Sequence, residues 1–355
     1  MTPPYIIAEA GVNHDGDLDK ALALVDAASA AGADAVKFQT FAADRLVSID
    51  AEKAAYQKRT TGADESQYAM LKRLELSEGD HRVIANRCAE RGIEFLSTPF
   101  DEESLRFLVD DMRIGRIKIP SGELTNGPLL LAAARTGLPL VVSTGMATME
   151  EIGEALGVIA YGVLGGDDPT TAAFAECFAS EAGKSTLRAK VTILHCTTEY
   201  PAPDDETNLA AVDTLRNAFG LPTGFSDHTV GIAAAIAATA RGAVVIEKHF
   251  TLDKSLPGPD HAASLEPDEL TAMVTACRRV AAMIGDGAKT PTRSESKNSP
   301  VARKSLVTTR PMKAGEIFGP DDITPRRPGG GVSPMRYWEW VGAKATRDYD
   351  KGEPL

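Results

Sequence analysis

Eight times before residue 252, a short strand-like run is followed by turn chemistry and then by an Ala/Leu-rich helical stretch. The runs are Tyr5–Gly11, Ala35–Thr40, Glu94–Pro99, Arg116–Ser121, Leu138–Gly145, Lys190–Cys196, Pro222–Asp227 and Val244–Phe250. Between them lie helical patterns such as Leu18–Ala31, Asp80–Arg91, Glu102–Leu108, Thr148–Ala160 and Val230–Ala240. Repeated βα units imply a parallel sheet, either closed as a (β/α)8 barrel or open and doubly wound. Eight units of this length favour the barrel, which needs about 250 residues.

The chain has 355 residues, so the barrel leaves room for an appendage. Residues 1–285 are read as the barrel and residues 286–300, rich in Pro, Ser, Lys and Asn, as a linker. Residues 301–355 have short β-like pieces, Gly/Pro turns and no long helical pattern, the signature of a small β-rich module. That module carries ten Lys/Arg against seven Asp/Glu, while the whole chain has a net charge of −12. Within the barrel, residues 162–190 form a longer connection with a helix expected around Thr171–Ser180.

The net charge of −12 argues against a nucleic-acid partner, so any anionic substrate must be recruited by local cations. Apolar runs such as Ile232 to Thr239 are too short to cross a bilayer, which takes about 20 residues. No basic leader precedes the first strand, and a cytoplasmic location is expected. Cys88, Cys177, Cys196 and Cys277 lack paired or metal-type spacing and read as reduced core thiols.

A barrel of this kind carries its chemistry at the carboxyl ends of its strands. Polar residues stand there in nearly every unit: Glu9; Lys37 and Gln39; Thr98; Lys118 and Ser121; Ser143 and Thr144; His195 and Thr197; Ser226, Asp227 and His228; Glu247, Lys248 and His249. His228 and His249 end adjacent strands and could share one divalent metal with open positions. A lone histidine there would more simply cap a strand, but two neighbours favour the metal. Lys118, Ser121, Ser143 and Ser226 could surround a phosphate, the lysine supplying charge and the hydroxyls direction. Each serine alone is an ordinary turn residue, and only convergence would make the site. Asp260, in Pro259-Asp260-His261, is a carboxylate that could hold a sugar hydroxyl or support the ligands of the metal, or else a plain turn. His14 reads as loop-structural.

These segments also carry a resemblance. Ile7-Ala8-Glu9-Ala10-Gly11-Val12-Asn13-His14-Asp15-Gly16, Lys37-Phe38-Gln39-Thr40-Phe41, Ser97-Thr98-Pro99-Phe100-Asp101 and Lys118-Ile119-Pro120-Ser121-Gly122-Glu123 resemble bacterial sialic acid synthases. So do Ser143-Thr144-Gly145-Met146, His195-Cys196-Thr197-Thr198-Glu199-Tyr200-Pro201, Phe225-Ser226-Asp227-His228-Thr229 and Glu247-Lys248-His249-Phe250-Thr251. Arg326-Arg327-Pro328-Gly329 and Gly331-Val332-Ser333-Pro334-Met335 resemble that family's small module, which is similar to type III antifreeze proteins (a SAF domain).

The resemblance spans essentially the whole chain and implies condensation of phosphoenolpyruvate with N-acetylmannosamine to N-acetylneuraminate and phosphate. An alternative is legionaminate synthesis from 2,4-diacetamido-2,4,6-trideoxymannose. It implies that His228 and His249 hold manganese, with magnesium or cobalt as alternatives, and that Lys118, Ser121, Ser143 and Ser226 hold the phosphate. Lys37 and Thr98 would meet the phosphoenolpyruvate carboxylate. Glu9, Gln39, Tyr200 and Asp260 would order the sugar or the attacking water. Glu9, Lys118, His228 and His249 would be the catalytic set. It further implies a domain-swapped homodimer in which Arg327 reaches the sugar's acyl group in trans. The chain departs from the family pattern at Thr198, where some relatives have Asn, and at Gly330 in the small module.

Two readings from other classes compete. A glycan- or ice-binding protein on a dead barrel would have lost His228, His249 or Lys118, and all three stand. A metal-dependent aldolase using pyruvate would not need the phosphate cluster.

Overall fold

The computed structural model describes residues 2–54, 57, 58, 61 and 65–355, and the chain divides into two compact units, Met1–Gly285 and Asp286–Leu355. The first unit contains eight strands: β1 Tyr5–Gly11, β2 Ala35–Thr40, β3 Glu94–Pro99, β4 Ile117–Ile119, β5 Leu140–Ser143, β6 Val191–His195, β7 Thr223–Asp227 and β8 Val245–His249. All pair in parallel, in the order β3-β2-β1-β8-β7-β6-β5-β4. β3 and β4 also pack against each other, which brings the sheet round into a barrel. The Arg116 guanidinium spans this seam, donating to both carboxylate oxygens of Glu94 at 2.8 and 3.1 Å while lying over the Tyr5 ring. The fold is therefore the (β/α)8 barrel expected from the eight repeats.

A two-residue period sorts the side chains of each strand between the barrel interior and the surrounding helices. Ile7, Ala35, Leu96, Val141, Leu194 and Val245 form one small buried apolar cluster. The larger apolar clusters join the opposite strand faces to the helices, as in Ile6, Ala8, Val36 and Phe38 with Leu24, Ala28 and Ile84. Two residues on from members of the small cluster stand Glu9, Lys37, Thr98, Ser143, Cys196 and Glu247. The barrel is thus plugged by hydrocarbon in its middle and turns polar one layer nearer the strand ends. β7 contributes Gly224 where its neighbours place a plug residue: a Cβ there would lie 2.5 Å from the Val245 carbonyl oxygen and 2.6 Å from Leu194 Cδ2.

The helices begin where the sequence offers caps. Ser77 and Asp80 close a capping box on Glu78–Arg91, and Thr148 and Glu151 close another on Met149–Val163. The expected helix at Glu102–Leu108 is α-helical only to Arg106 and continues as a π turn over Phe107–Asp111. Two helices, Thr171–Ala179 and Glu181–Lys190, fill the long connection before β6. Cys88, Cys196 and Cys277 are buried and Cys177 is half-buried, all without disulfides.

The second unit has a helix, Arg293–Ala302, that takes up the end of the stretch read as a linker and runs two residues past it, its start set by the capping box of Thr292 and Glu295. An antiparallel pair follows, β9 Ser305–Thr308 and β10 Ile323–Arg326, over a core of Leu306, Met312, Phe318, Ile323, Ala345 and Tyr349. Among the described residues no helix is long and apolar enough to cross a membrane.

Candidate active site

A cavity of about 290 Å³ opens at the carboxyl ends of the barrel strands. Its walls include Glu9, Lys37, Gln39, Thr98, Lys118, Ser121, Ser143, Tyr200, Ser226, His228, His249 and Asp260. Every site residue proposed from the first unit's sequence is thus brought to one place. Arg327 lies in the second unit, exposed, next to β10.

The floor is an ionic cluster. Lys37 Nζ lies 2.5 Å from a Glu9 oxygen and 3.7 Å from Glu247, and donates to Thr98 Oγ1 at 2.9 Å. Lys118 Nζ lies 3.5 Å from Glu247 and donates to Ser143 Oγ at 2.8 Å. Ser226 Oγ donates to Glu247 at 2.8 Å. All four charged side chains are at most 5% exposed. Burying such a cluster costs solvation that its pairings only partly return, so it is not explained by stability.

Its electrostatics are uneven. Burial, with the Glu247 charge, pushes the Glu9 carboxyl up to about 7 against the pull of Lys37. Glu247 is held down at about 2 despite its burial, because Lys118 and Lys37 both face it. Burial would lower Lys37, but Glu247 and Glu9 hold it above its ordinary value. Burial lowers Lys118, only partly offset by Glu247. Glu247 is therefore the hub that two lysines and one serine share. The sequence places it at a strand end but gives it no role.

Beside the floor, Ser121 Oγ accepts from the Gly145 amide at 3.1 Å and lies 3.1 Å from Cys196 Sγ. Gly145 is required here, since a Cβ would fall 2.3 Å from Thr198 Oγ1 and 2.8 Å from Ser121 Oγ. Thr198 itself lines the cavity.

The rim holds the imidazoles. His228 and His249 have ring centroids 5.5 Å apart, and the Tyr200 ring lies 4.2 Å from the first and 5.5 Å from the second. Burial lowers His228 to about 4, and burial, with a second imidazole close by that could not share a charge, lowers His249 well below the ordinary imidazole range. Both are therefore neutral, the only form that can ligate a metal. His228 Nδ1 donates to the Thr197 carbonyl at 2.6 Å, which fixes the tautomer and leaves the Nε2 lone pair available. His249 Nδ1 is buried without a hydrogen-bond partner. Among the described residues no three His, Cys, Asp or Glu side chains converge as a closed metal site. The donor set suits an open site of two imidazoles, with remaining positions for substrate and water. Asp260 is pushed up to about 6 by burial alone.

The segments around Asp260 are cross-braced. His261 Nδ1 meets Thr251 Oγ1 at 2.7 Å, its Nε2 lies 3.1 Å from Asp15, and Ser264 Oγ donates to the Asp260 carbonyl at 2.7 Å. His14 accepts from the Gly16 amide at 3.0 Å, the loop-structural role expected of it.

Comparison with known proteins agrees with this geometry. The NeuB family matches residues 24–289 and the SAF domain matches residues 303–355. An N,N'-diacetyllegionaminic acid synthase of Campylobacter jejuni is 46% identical over 353 residues, spanning 99% of each chain. A second N,N'-diacetyllegionaminic acid synthase, from Legionella pneumophila, is 43% identical across 99% of this chain and 93% of its own. Among solved structures, an N-acetylneuraminic acid synthetase of Leptospira borgpetersenii superposes with a TM-score of 0.67 at 32% identity, covering 84% of this chain and 90% of its own.

Proposed function

The chain belongs to the NeuB family, and from that premise we propose that it condenses phosphoenolpyruvate with the open-chain aldehyde of an N-acylated amino sugar, releasing phosphate and a nonulosonic acid. The observation that carries this reading is the meeting, in one cavity, of the two neutral imidazoles with the Lys37, Lys118, Ser143 and Ser226 cluster. Between the two sugars considered, the relatives named as legionaminic acid synthases favour the diacetamido trideoxy sugar over N-acetylmannosamine.

In this reading Lys118, Ser121, Ser143 and Ser226 take the phosphate, and Lys37 with Thr98 takes the carboxylate of phosphoenolpyruvate. The vinyl carbon attacks the sugar aldehyde, forming the C–C bond while the aldehyde oxygen becomes a hydroxyl. Water adds to the former enol carbon and gives up a proton to the site. The C–O bond to phosphate then breaks, leaving the 2-keto acid and inorganic phosphate. A divalent ion held by His228 and His249, manganese for preference, would supply Lewis acidity toward the aldehyde oxygen. Glu9, raised toward neutrality, is placed to take the proton of the attacking water, while Gln39, Tyr200 and Asp260 orient the sugar. Fixing two substrates in register provides much of the rate.

Metal-reconstituted protein should release phosphate from phosphoenolpyruvate only when a suitable sugar is present, with a product mass equal to the sum of substrates and water less phosphate. Release without sugar, or none with either sugar, would defeat the proposal. Independently of activity, His249→Gln should weaken manganese binding by roughly 100-fold in a calorimetric titration. The reading extends to action in the cytoplasm. It also extends to a swapped dimer in which Arg327 of one copy serves the sugar of another. Sedimentation of the full chain as a single copy would remove the role given to Arg327.

A further inference from the structure

One wall of the cavity takes no part in the chemistry above. It is built by the segments that follow β2 and β3. Leu46, Val47, Leu71 and Phe100 face the cavity half-buried, with Met70 and Leu74 buried beside them, and Gln57 and Gln67 are the polar side chains that interrupt this apolar stretch. The floor and the imidazole rim are polar, so the cavity has two chemically distinct sides. The wall is also held in place. Asp44 accepts from Tyr68 at 2.5 Å and from Lys72 at 3.1 Å, Glu75 accepts from the Ala43 amide at 2.6 Å, and Phe41 meets Phe100 edge to face at 6.0 Å. These contacts fasten the short helix Ala43–Leu46 to the helix Gln67–Leu74.

We infer that this wall is a specificity subsite for a deoxygenated, methyl-bearing end of the sugar, with Leu46 and Leu71 as its specificity-determining residues. The inference rests on the synthase reading and deepens it by naming the substrate class as a 6-deoxy amino sugar. A hydroxyl set against Leu46 and Leu71 loses its water and gains no hydrogen bond from them, whereas a methyl group is favoured there. N-acetylmannosamine ends in a C6 hydroxyl. The trideoxy sugar ends in a methyl group, which suits hydrocarbon, and carries at C4 an acetamido group whose methyl does so while its amide calls for a polar partner. The polar floor, which would take phosphoenolpyruvate, does not distinguish the two sugars.

The test uses the full-length, manganese-loaded protein with phosphoenolpyruvate and three acceptors: N-acetylmannosamine, its 6-deoxy analogue, and the 2,4-diacetamido trideoxy sugar. The wild type should favour the 6-deoxy analogue over N-acetylmannosamine by about 10- to 100-fold in kcat/KM, the range a single methyl group commands in an apolar pocket. Leu71→Gln and Leu46→Gln should each compress that ratio to below about threefold, Leu71→Met should retain it, and the KM for phosphoenolpyruvate should stay put. Either glutamine variant that folds suffices. An unchanged ratio in a variant that still binds phosphoenolpyruvate normally would overturn the subsite while leaving the synthase reading intact. No phosphate release by the wild type with any of the three acceptors would overturn both.

Discussion

At the scale of single residues, the site was legible wherever a polar side chain stood at a strand end, because the alternation of the strand decides which side chains face the interior. Lys37, Lys118 and the two histidines could be proposed on that ground, and the cavity gathers them. Glu247 was visible in the same way, yet its part as the common partner of Lys37, Lys118 and Ser226 depends on distances across three other strands. Thr198 could not be placed from the sequence, and the structure puts its hydroxyl where a Cβ on Gly145 would fall. Gly145→Ala should therefore displace Thr198 and Ser121 by a fraction of an ångström to an ångström. We expect the KM for phosphoenolpyruvate to rise by roughly tenfold or more, given the sensitivity of positioned groups to shifts of that size. Steady-state kinetics at saturating sugar would check this, and an unchanged KM would remove Ser121 from the phosphate site.

At the scale of elements, β1, β2 and β3 begin and end where their sequences indicate, whereas β4 is trimmed to Ile117–Ile119. Pro120, which has no amide to give a ladder, ends it, and Ser121–Glu123 turn into a 3-10 helix. The apolar wall was illegible for a different reason. Leu46 and Leu71 lie in separate short helices of an irregular crossover, and the ties through Asp44 and Glu75 bring them together. The seam between β3 and β4 offers an element-level test. Arg116→Ala removes the bidentate bond to Glu94, but both groups are about 30% exposed and solvent screens the pair. The loss should be about 1 kcal/mol, or roughly 2 °C in the melting temperature of a unit this large. A drop of 10 °C by differential scanning calorimetry would mean that the seam holds the barrel closed more tightly than this pair suggests.

At the scale of the whole molecule, the burial of histidine governs the response to acid. Five of the six imidazoles, His14, His81, His195, His228 and His249, are held below the ordinary 6.5, His14 and His228 at about 4. In the window from 6.5 down to about 4 the unfolded chain binds protons at these positions that the folded chain refuses, so stability falls with pH. Glu9 and Asp260, raised to about 7 and about 6, act in the opposite sense, since the folded state keeps protons that the unfolded state releases. The imidazoles outnumber them. The melting temperature of metal-free protein should accordingly decline steadily from pH 7 to pH 4.5, and a flat or rising profile would contradict the burial described for these rings.

The ionic floor has a consequence for how an acidic protein captures an acidic substrate. Lys37 and Lys118 already face Glu9 and Glu247, so the charges of the floor balance one another before any substrate enters. An incoming anion must therefore compete at contact range with two fixed carboxylates for the same lysines. A chain with a net charge of −12 can thus be selective for an anion at contact range without attracting polyanions at a distance.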